Sequence, residues 1–486
     1  MNAFPRALPS LLTMAALSLA ISACTVGPDH VRPDLPLPER FARDAGPVDA
    51  MSTPSADAAF WRGFGDARLD TLVDAALSAN HDLRIALAQY DRANALLRGA
   101  KFDRLPTITA NADGRDTRAS SDQMPGVDRD ARDVESYSIG ANVAWELDLF
   151  GRIRRNVEAG RADAQASVLD LAAAQVAIVG EVARTYFELR GLQERLRVAR
   201  ENAENQAETL RLVQARYDAG RDSEFDLSRA RAQQAATSSR IPALEAQVAT
   251  AIHRLAVLTG RAPDALIAEL SAPAPLPALP TRIDPGTPGV LLRRRPDVAA
   301  AEARLHAATA RIGVATADLF PRFTLGGLIG SQAIDTSALF ERGSETRLVA
   351  LGIDWSFLDI GRTRARIAAA DADASGALAG YERSVLLALE DTENALVRHA
   401  RAREEDALLE RAAVDSARAA TLARTRFEAG ATGLLEVLDA ERTRLQAEDA
   451  FADARTRSAT SAVGLFKALA GGWPQSPPVR MEVGQR

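Results

Sequence analysis

Cysteine is almost missing from this chain: Cys24 stands alone among 486 residues, so neither an intramolecular disulfide nor a thiolate metal cluster can form. Histidine is scarce too. The five present, His30, His81, His253, His306 and His399, are scattered without ligand spacing, and neither a metal nor a cofactor is expected. An excess of positive charge is also lacking. The formal charge of -6 speaks against nucleic acid as a partner, because phosphate binding needs a basic surface. Two short basic runs, Arg152-Ile153-Arg154-Arg155 and Arg293-Arg294-Arg295, are read as solvated helix starts and turns. The glycines of Gly326-Gly327-Leu328-Ile329-Gly330 have no lysine after them, so they suit a strand approached closely by a neighbour better than a phosphate loop. No nucleophile and base stand in a recognisable constellation, and no enzyme activity is expected. Beyond the first residues no apolar run reaches 18, the length that suggests a membrane-crossing helix.

What the chain does have is itself, twice. Trp145-Glu146-Leu147-Asp148-Leu149-Phe150-Gly151-Arg152 is echoed by Trp355-Ser356-Phe357-Leu358-Asp359-Ile360-Gly361-Arg362, 210 residues later. Arg216-Tyr217-Asp218-Ala219-Gly220 and Arg426-Phe427-Glu428-Ala429-Gly430 stand at the same offset. A third match, Arg104-Leu105-Pro106 with Leu319-Phe320-Pro321, lies at 215, so a short insertion separates the halves. The period is far too long for a solenoid.

The N-terminal residues carry Arg6, an apolar stretch from about Leu8 to Ile21, and then Ile21-Ser22-Ala23-Cys24. Residues 1–23 read as a signal peptide. The junction resembles a bacterial lipobox, which implies covalent lipid on Cys24, stable anchoring where more than one acyl chain is attached, and, with Thr25 next, the outer membrane. Residues 24–60, Pro-rich at their start, read as an extended tether, and 272–288 as a Pro-rich connector. The first repeat, 61–271, opens with a helix near Leu69 to Lys101, and the second, 289–474, with one from Pro296 to Leu319. Residues 475–486 read as a flexible tail.

Each repeat then changes period. Tyr137, Ile139, Ala141, Val143, Trp145 and Leu147 alternate with polar or small residues, the mark of a strand with two unlike faces. Strands are expected at about 106–116, 136–149, 322–331 and 347–358, joined in pairs by polar loops. Long proline-free stretches follow and form helical hairpins, about 152–260 and 362–470. Leu189, Leu192, Leu196, Ala199, Ala203, Gln206, Leu210, Val213 and Tyr217 keep the three-four spacing of a coiled-coil seam. A second seam, Val437, Ala440, Arg444, Ala447, Phe451, Ala454, Ser458, Ser461 and Leu465, uses smaller residues. Charges such as Arg161, Asp163, Arg229, Arg231, Glu441 and Arg442 read as wet faces of a hollow tube. Each hairpin turns at glycine, at Gly220 and at Gly430 with Gly433, where a positive φ ends the helix.

Four amphipathic strands cannot close a membrane barrel, since at least eight are needed and open edges are not tolerated in hydrocarbon. Two copies would give eight strands with little lumen, and three would give about twelve. The alternative is a lipid-anchored periplasmic coiled-coil scaffold without a pore, which leaves the strands unexplained.

The chain resembles a TolC-family outer-membrane efflux channel of the OprM/NodT-like lipoprotein branch. The likeness rests on Cys24-Thr25-Val26-Gly27-Pro28 with Arg32-Pro33, the two Arg-aromatic-acid-Ala-Gly turns, Leu435-Glu436-Val437-Leu438-Asp439-Ala440, and Leu469-Ala470-Gly471-Gly472-Trp473. It implies an α+β membrane protein: a homotrimer whose 12-stranded β-barrel continues into a 12-helix periplasmic α-barrel. It implies a passive exit duct for small molecules such as drugs. The partners implied are a periplasmic adaptor (membrane fusion) protein and an inner-membrane pump of the resistance-nodulation-division (RND) type. Carried over residue by residue, the periplasmic gate comprises Leu435 as plug, Asp439 as acidic ring, Glu436, and Asp226 as an interhelix link. The adaptor meets the turns at Gly220, Arg221, Gly430 and Gly433. Thr432, where the family has an arginine, and Phe427, where it often has tyrosine, weaken the charged latch.

Overall fold

A computed structural model describes residues 25–42, 59–277, 279 and 283–470. The signal peptide, Cys24 and the C-terminal tail lie outside the described residues, as do residues 43–58 of the expected tether. In chain order the elements are α1 (Ala67–Ala79), α2 (His81–Phe102), β1 (Thr107–Arg118), β2 (Asp133–Leu147), α3 (Arg152–Asp218), α4 (Glu224–Ser238) and α5 (Arg240–Leu258). They continue with α6 (Ile267–Leu270), α7 (Pro288–Arg294), α8 (Pro296–Ala317), β3 (Arg322–Ala333), β4 (Glu345–Asp354), α9 (Ile360–Glu428) and α10 (Leu434–Ala468). The chain divides into two units, one holding 90–167 and 300–382 with the N-terminal residues, the other holding 35–89, 168–299 and 383–486.

In the first unit the strands form one antiparallel sheet in the order β1-β2-β3-β4. The two repeats therefore meet edge to edge, β2 against β3, with Gly140 opposite Gly330. A Cβ on Gly330 would stand 2.4 Å from the Ile139 carbonyl oxygen, so only glycine allows this approach. The duplication returns as geometry at the foot of the sheet. The Trp145 indole donates to the Arg104 carbonyl at 3.0 Å, and Trp355 donates to Leu319 at 3.1 Å. The last strand stops at Asp354, short of the expected 358, where Trp355 turns to make that bond.

The basic run at the start of α3 is not solvated. Arg152 pairs with Glu146 at 2.6 Å, and Arg154 with Asp148 at 3.2 Å. Arg155 is buried and donates to the carbonyls of Val26 and Gly27 and to the Asp29 carboxylate. Residues 25–32 of the expected extended tether are thus a bound strap. His30 stacks on His306 at 4.6 Å, and Arg32 pairs with Glu302 at 3.2 Å. Gly27 holds φ +88 with its Cα face on Gly313, where a Cβ would come within 2.3 Å.

The second unit has an aromatic core. Phe60 stacks on Phe466 at 4.8 Å, and Phe64 meets Phe187 edge-on at 5.0 Å. Tyr186 is buried and donates to Asp66 at 2.7 Å. Burial first, then that carboxylate, pushes its phenol up to about 12. The single helix expected from Leu69 to Lys101 is broken at Asn80, which caps α2 through the Asp82 and Leu83 amides and donates to the Leu258 carbonyl. The second basic run also reaches the interior here. Arg295 is buried and paired with Asp297 at 2.7 Å and Asp391 at 3.2 Å.

The first hairpin's return limb breaks at Ser239, because Pro242 supplies no N–H to continue the ladder. Its counterpart α10 has no proline and runs unbroken. The first seam is buried or half-buried from Leu189 to Val213, while Tyr217 at its end is exposed. By length and composition α3 contains a window apolar enough to cross a membrane, but half of that window is buried in protein, as in a core helix.

Candidate functional site

The two helical turns of the second unit repeat one geometry. At the first, Gly220 takes φ +72, with Gly220 N–H on the Tyr217 carbonyl and Arg221 N–H on Arg216. At the second, Gly430 takes φ +73, with Gly430 N–H on Phe427 and Ala431 N–H on Arg426. Both are left-handed helix stops that satisfy the last carbonyls. Gly433 differs from expectation. Its φ is −81, ordinary extended backbone, and it serves as the N-cap of α10.

Beneath the turns lies a small apolar cluster of Val213, Leu227, Ala230, Phe427, Leu434, Val437 and Leu438. Arg216 binds the two hairpins together: it pairs with Asp222 at 2.9 Å and lies over the Phe427 ring at 5.0 Å. Phenylalanine is sufficient for that stacking, so the missing tyrosine hydroxyl is not needed here. The Thr432 hydroxyl is buried and has no partner among the described residues.

The expected gate residues sit differently from one another. Leu435 is exposed at 54 %, outside the apolar cluster, as is its repeat equivalent Phe225 at 68 %. Asp439 is exposed and pairs with Arg442 on its own helix. Glu436 is exposed in the first turn of α10. Asp226, expected as an interhelix link, instead closes a capping box: its amide donates to Ser223 Oγ at 3.2 Å and its carboxylate accepts from Ser223 Oγ at 2.6 Å. That use engages one carboxylate oxygen, Oδ2, within its own turn. Arg221 is exposed beside Gly220.

Glu441 was read as part of a wet face, and the structure buries it at 9 % exposure. Its carboxylate accepts from Arg424 of α9 at 3.2 Å and from Thr209 of α3 at 3.2 Å. Arg424 also reaches the Asn205 carbonyl. Three helices therefore meet at one carboxylate just above the turns. Burial pushes the Glu441 carboxyl up, against the opposing pull of Arg424 and the Thr209 hydrogen bond. A signal was present: Leu434, Leu438, Glu441 and Leu445 share three-four spacing, so an acid occupies an apolar position of a second seam.

Of the histidines, His30 and His306 are brought together, with His306 2.9 Å from Glu158. His399 is buried, and desolvation lowers its pKa to about 4. Among the described residues no group of three or more His, Cys, Asp or Glu could hold a metal.

Over residues 72–261 and 287–471 the chain matches the family described as outer membrane efflux protein. It is 33% identical over 487 residues to outer membrane protein OprJ of Pseudomonas aeruginosa, covering 97% of each. It is 32% identical over 471 residues to the solvent efflux pump outer membrane protein SrpC of Pseudomonas putida, covering 96% of this chain and 98% of that one. Among solved structures it is similar to the outer-membrane channel OprN, with a TM-score of 0.86 and 41% identity, covering 93% of this chain and 100% of that one.

Proposed function

Because the chain belongs to the outer membrane efflux protein family, we propose that it is the exit duct of a tripartite pump, assembled as a trimer and fed by an inner-membrane transporter through a periplasmic adaptor. One observation carries the trimer. The four-stranded sheet is open at both edges, since β1 pairs only with β2 and β4 only with β3. Apolar side chains such as Val349, Leu351 and Ile353 stand exposed on it. Open edges and apolar faces are stable in hydrocarbon only after closure, and three copies supply twelve strands. The pore-free scaffold has no use for such a sheet.

The lipid on Cys24 anchors the chain beside the strap. The paired turns at Gly220 with Arg221, and at Gly430 with Gly433, face the adaptor, whose opening force acts on them. Leu435 plugs the tip by meeting its symmetry mates, and Phe225 adds an equivalent apolar contact. Asp439 forms the acidic ring, tempered by Arg442, so cation preference is weaker than three bare carboxylates would give. Exported cargo is chosen by the transporter, in keeping with the differing names of the relatives.

Planar-bilayer recording tests this reading. The purified chain runs as a trimer in SDS and conducts, and Leu435→Ala with Asp439→Ala raises conductance several-fold. A chain that conducts nothing would sink the duct, whereas unchanged conductance in the double variant would remove these two residues from the gate.

A further inference from the structure

On α3 and α10 the aromatic core uses Val179, Val182, Ala462 and Phe466, roughly half a turn round each helix from a second feature. That feature is a groove of about 840 Å³ lined by α3, α9, α10 and the start of α8, a volume that fits a drug-sized molecule. Its floor is small and apolar: Val176, Ala177, Ala395, Gly464 and Ala468 leave room without offering hydrogen bonds. Its rim is charged, and the charges do not cancel.

Each carboxylate lining the groove is already held by an arginine. Glu188 pairs with Arg184, Asp297 and Asp391 pair with Arg295 at 2.7 and 3.2 Å, and Glu405 pairs with Arg457 at 2.8 Å. Arg398 and Lys467 also line the groove, and among the described residues neither side chain has a hydrogen-bond or ion-pair partner. An apolar floor under two uncommitted cations matches one ligand chemistry. We propose that the groove binds an amphiphilic anion, an aryl or acyl body over the Ala-Gly floor with its sulfonate or carboxylate met by Arg398 and Lys467. Calling that ligand cargo rests on the efflux reading, whereas the binding itself does not.

The test uses the full chain in lipid nanodiscs, with 8-anilinonaphthalene-1-sulfonate as anionic probe and N-phenyl-1-naphthylamine as its neutral counterpart, both read by fluorescence. The anionic probe binds saturably. Arg398→Gln with Lys467→Gln raises its Kd about tenfold, since each exposed cation contributes modestly and salt screens both. The neutral probe is unaffected by the charge changes. A Cβ at Gly464 meets nothing within 4 Å, so Gly464→Leu fills the groove without a clash and weakens both probes. Parent-like anionic affinity in the double variant, or in Gly464→Leu, overturns the site, as does a parallel loss of the neutral probe in the charge variant. Far-ultraviolet circular dichroism of the same variants reports folding, and bilayer conductance tests the efflux reading separately. A parent chain that binds but does not conduct leaves the site standing and removes the efflux reading.

Discussion

Glu441 joins three helices, so its replacement isolates how firmly the helical tip at the two turns is held. Alanine removes hydrogen bonds from Arg424 and Thr209, and bonds to charged groups contribute about 1.5–3 kcal/mol in favourable settings. Two facts reduce that figure. The Arg424 side chain keeps 35 % of its surface in solvent, and losing a costly buried carboxylate offsets part of the damage. The net loss is about 1–1.5 kcal/mol of local stability, or a five- to tenfold faster opening. Hydrogen exchange of the backbone over residues 425–445 reads it directly. Glutamine keeps an oxygen for Thr209 and sheds the charge, so Glu441→Gln exchanges no faster than the parent. The pH dependence has a definite sign. A carboxyl raised above its ordinary 4.5 in the folded chain ionises first in the opened state. Its contribution is complete below 4.5 and lost as pH rises toward the raised value. Protection of the parent tip, corrected for intrinsic rates, therefore increases on acidification from neutral, and the glutamine variant is flat. Unchanged exchange in Glu441→Ala, or glutamine behaving like alanine, refutes the joint.

Asn80→Ala strips the cap of α2 and orphans the buried Leu258 carbonyl, which costs about 2 kcal/mol and speeds exchange at the junction of α1 and α2; parent-like protection there contradicts the account of the break. Gly27→Val forces a side chain into Gly313 at a φ of +88, at a cost of about 2 kcal/mol or more. The strap then detaches, and thermolysin cuts before Val31 under conditions in which the parent is resistant.

The repeat, the four strands and the long hairpins were legible because each is a local pattern with its own period. What escaped was decided by partners far away in sequence. Asn80 looks like any polar helix residue until the Leu258 carbonyl is set beside it. Arg155 and Arg295 belong to basic runs that resemble solvated termini, yet each meets backbone carbonyls and carboxylates from other elements. Glu441 escapes for the same reason: α10 carries two seams, and the one that holds Glu441 meets Thr209 and Arg424 on other helices. Asp226 differs. Its local capping role is readable directly from Ser223 three residues before it, and that cap is the contact it makes among the described residues.

The pairing of β2 with β3 has a consequence for how the molecule is made. Tyr137 lies against Ala333 and Leu147 against Phe323, so the central seam of the sheet joins residues roughly 200 positions apart, a high contact order that slows folding. The first hairpin can form early, but it must wait with an unsatisfied edge until the chain has been exported well past its midpoint. Aggregation during that interval is the hazard. How long that nascent edge stands open therefore bears on the yield of finished protein, separately from the stability of the finished protein.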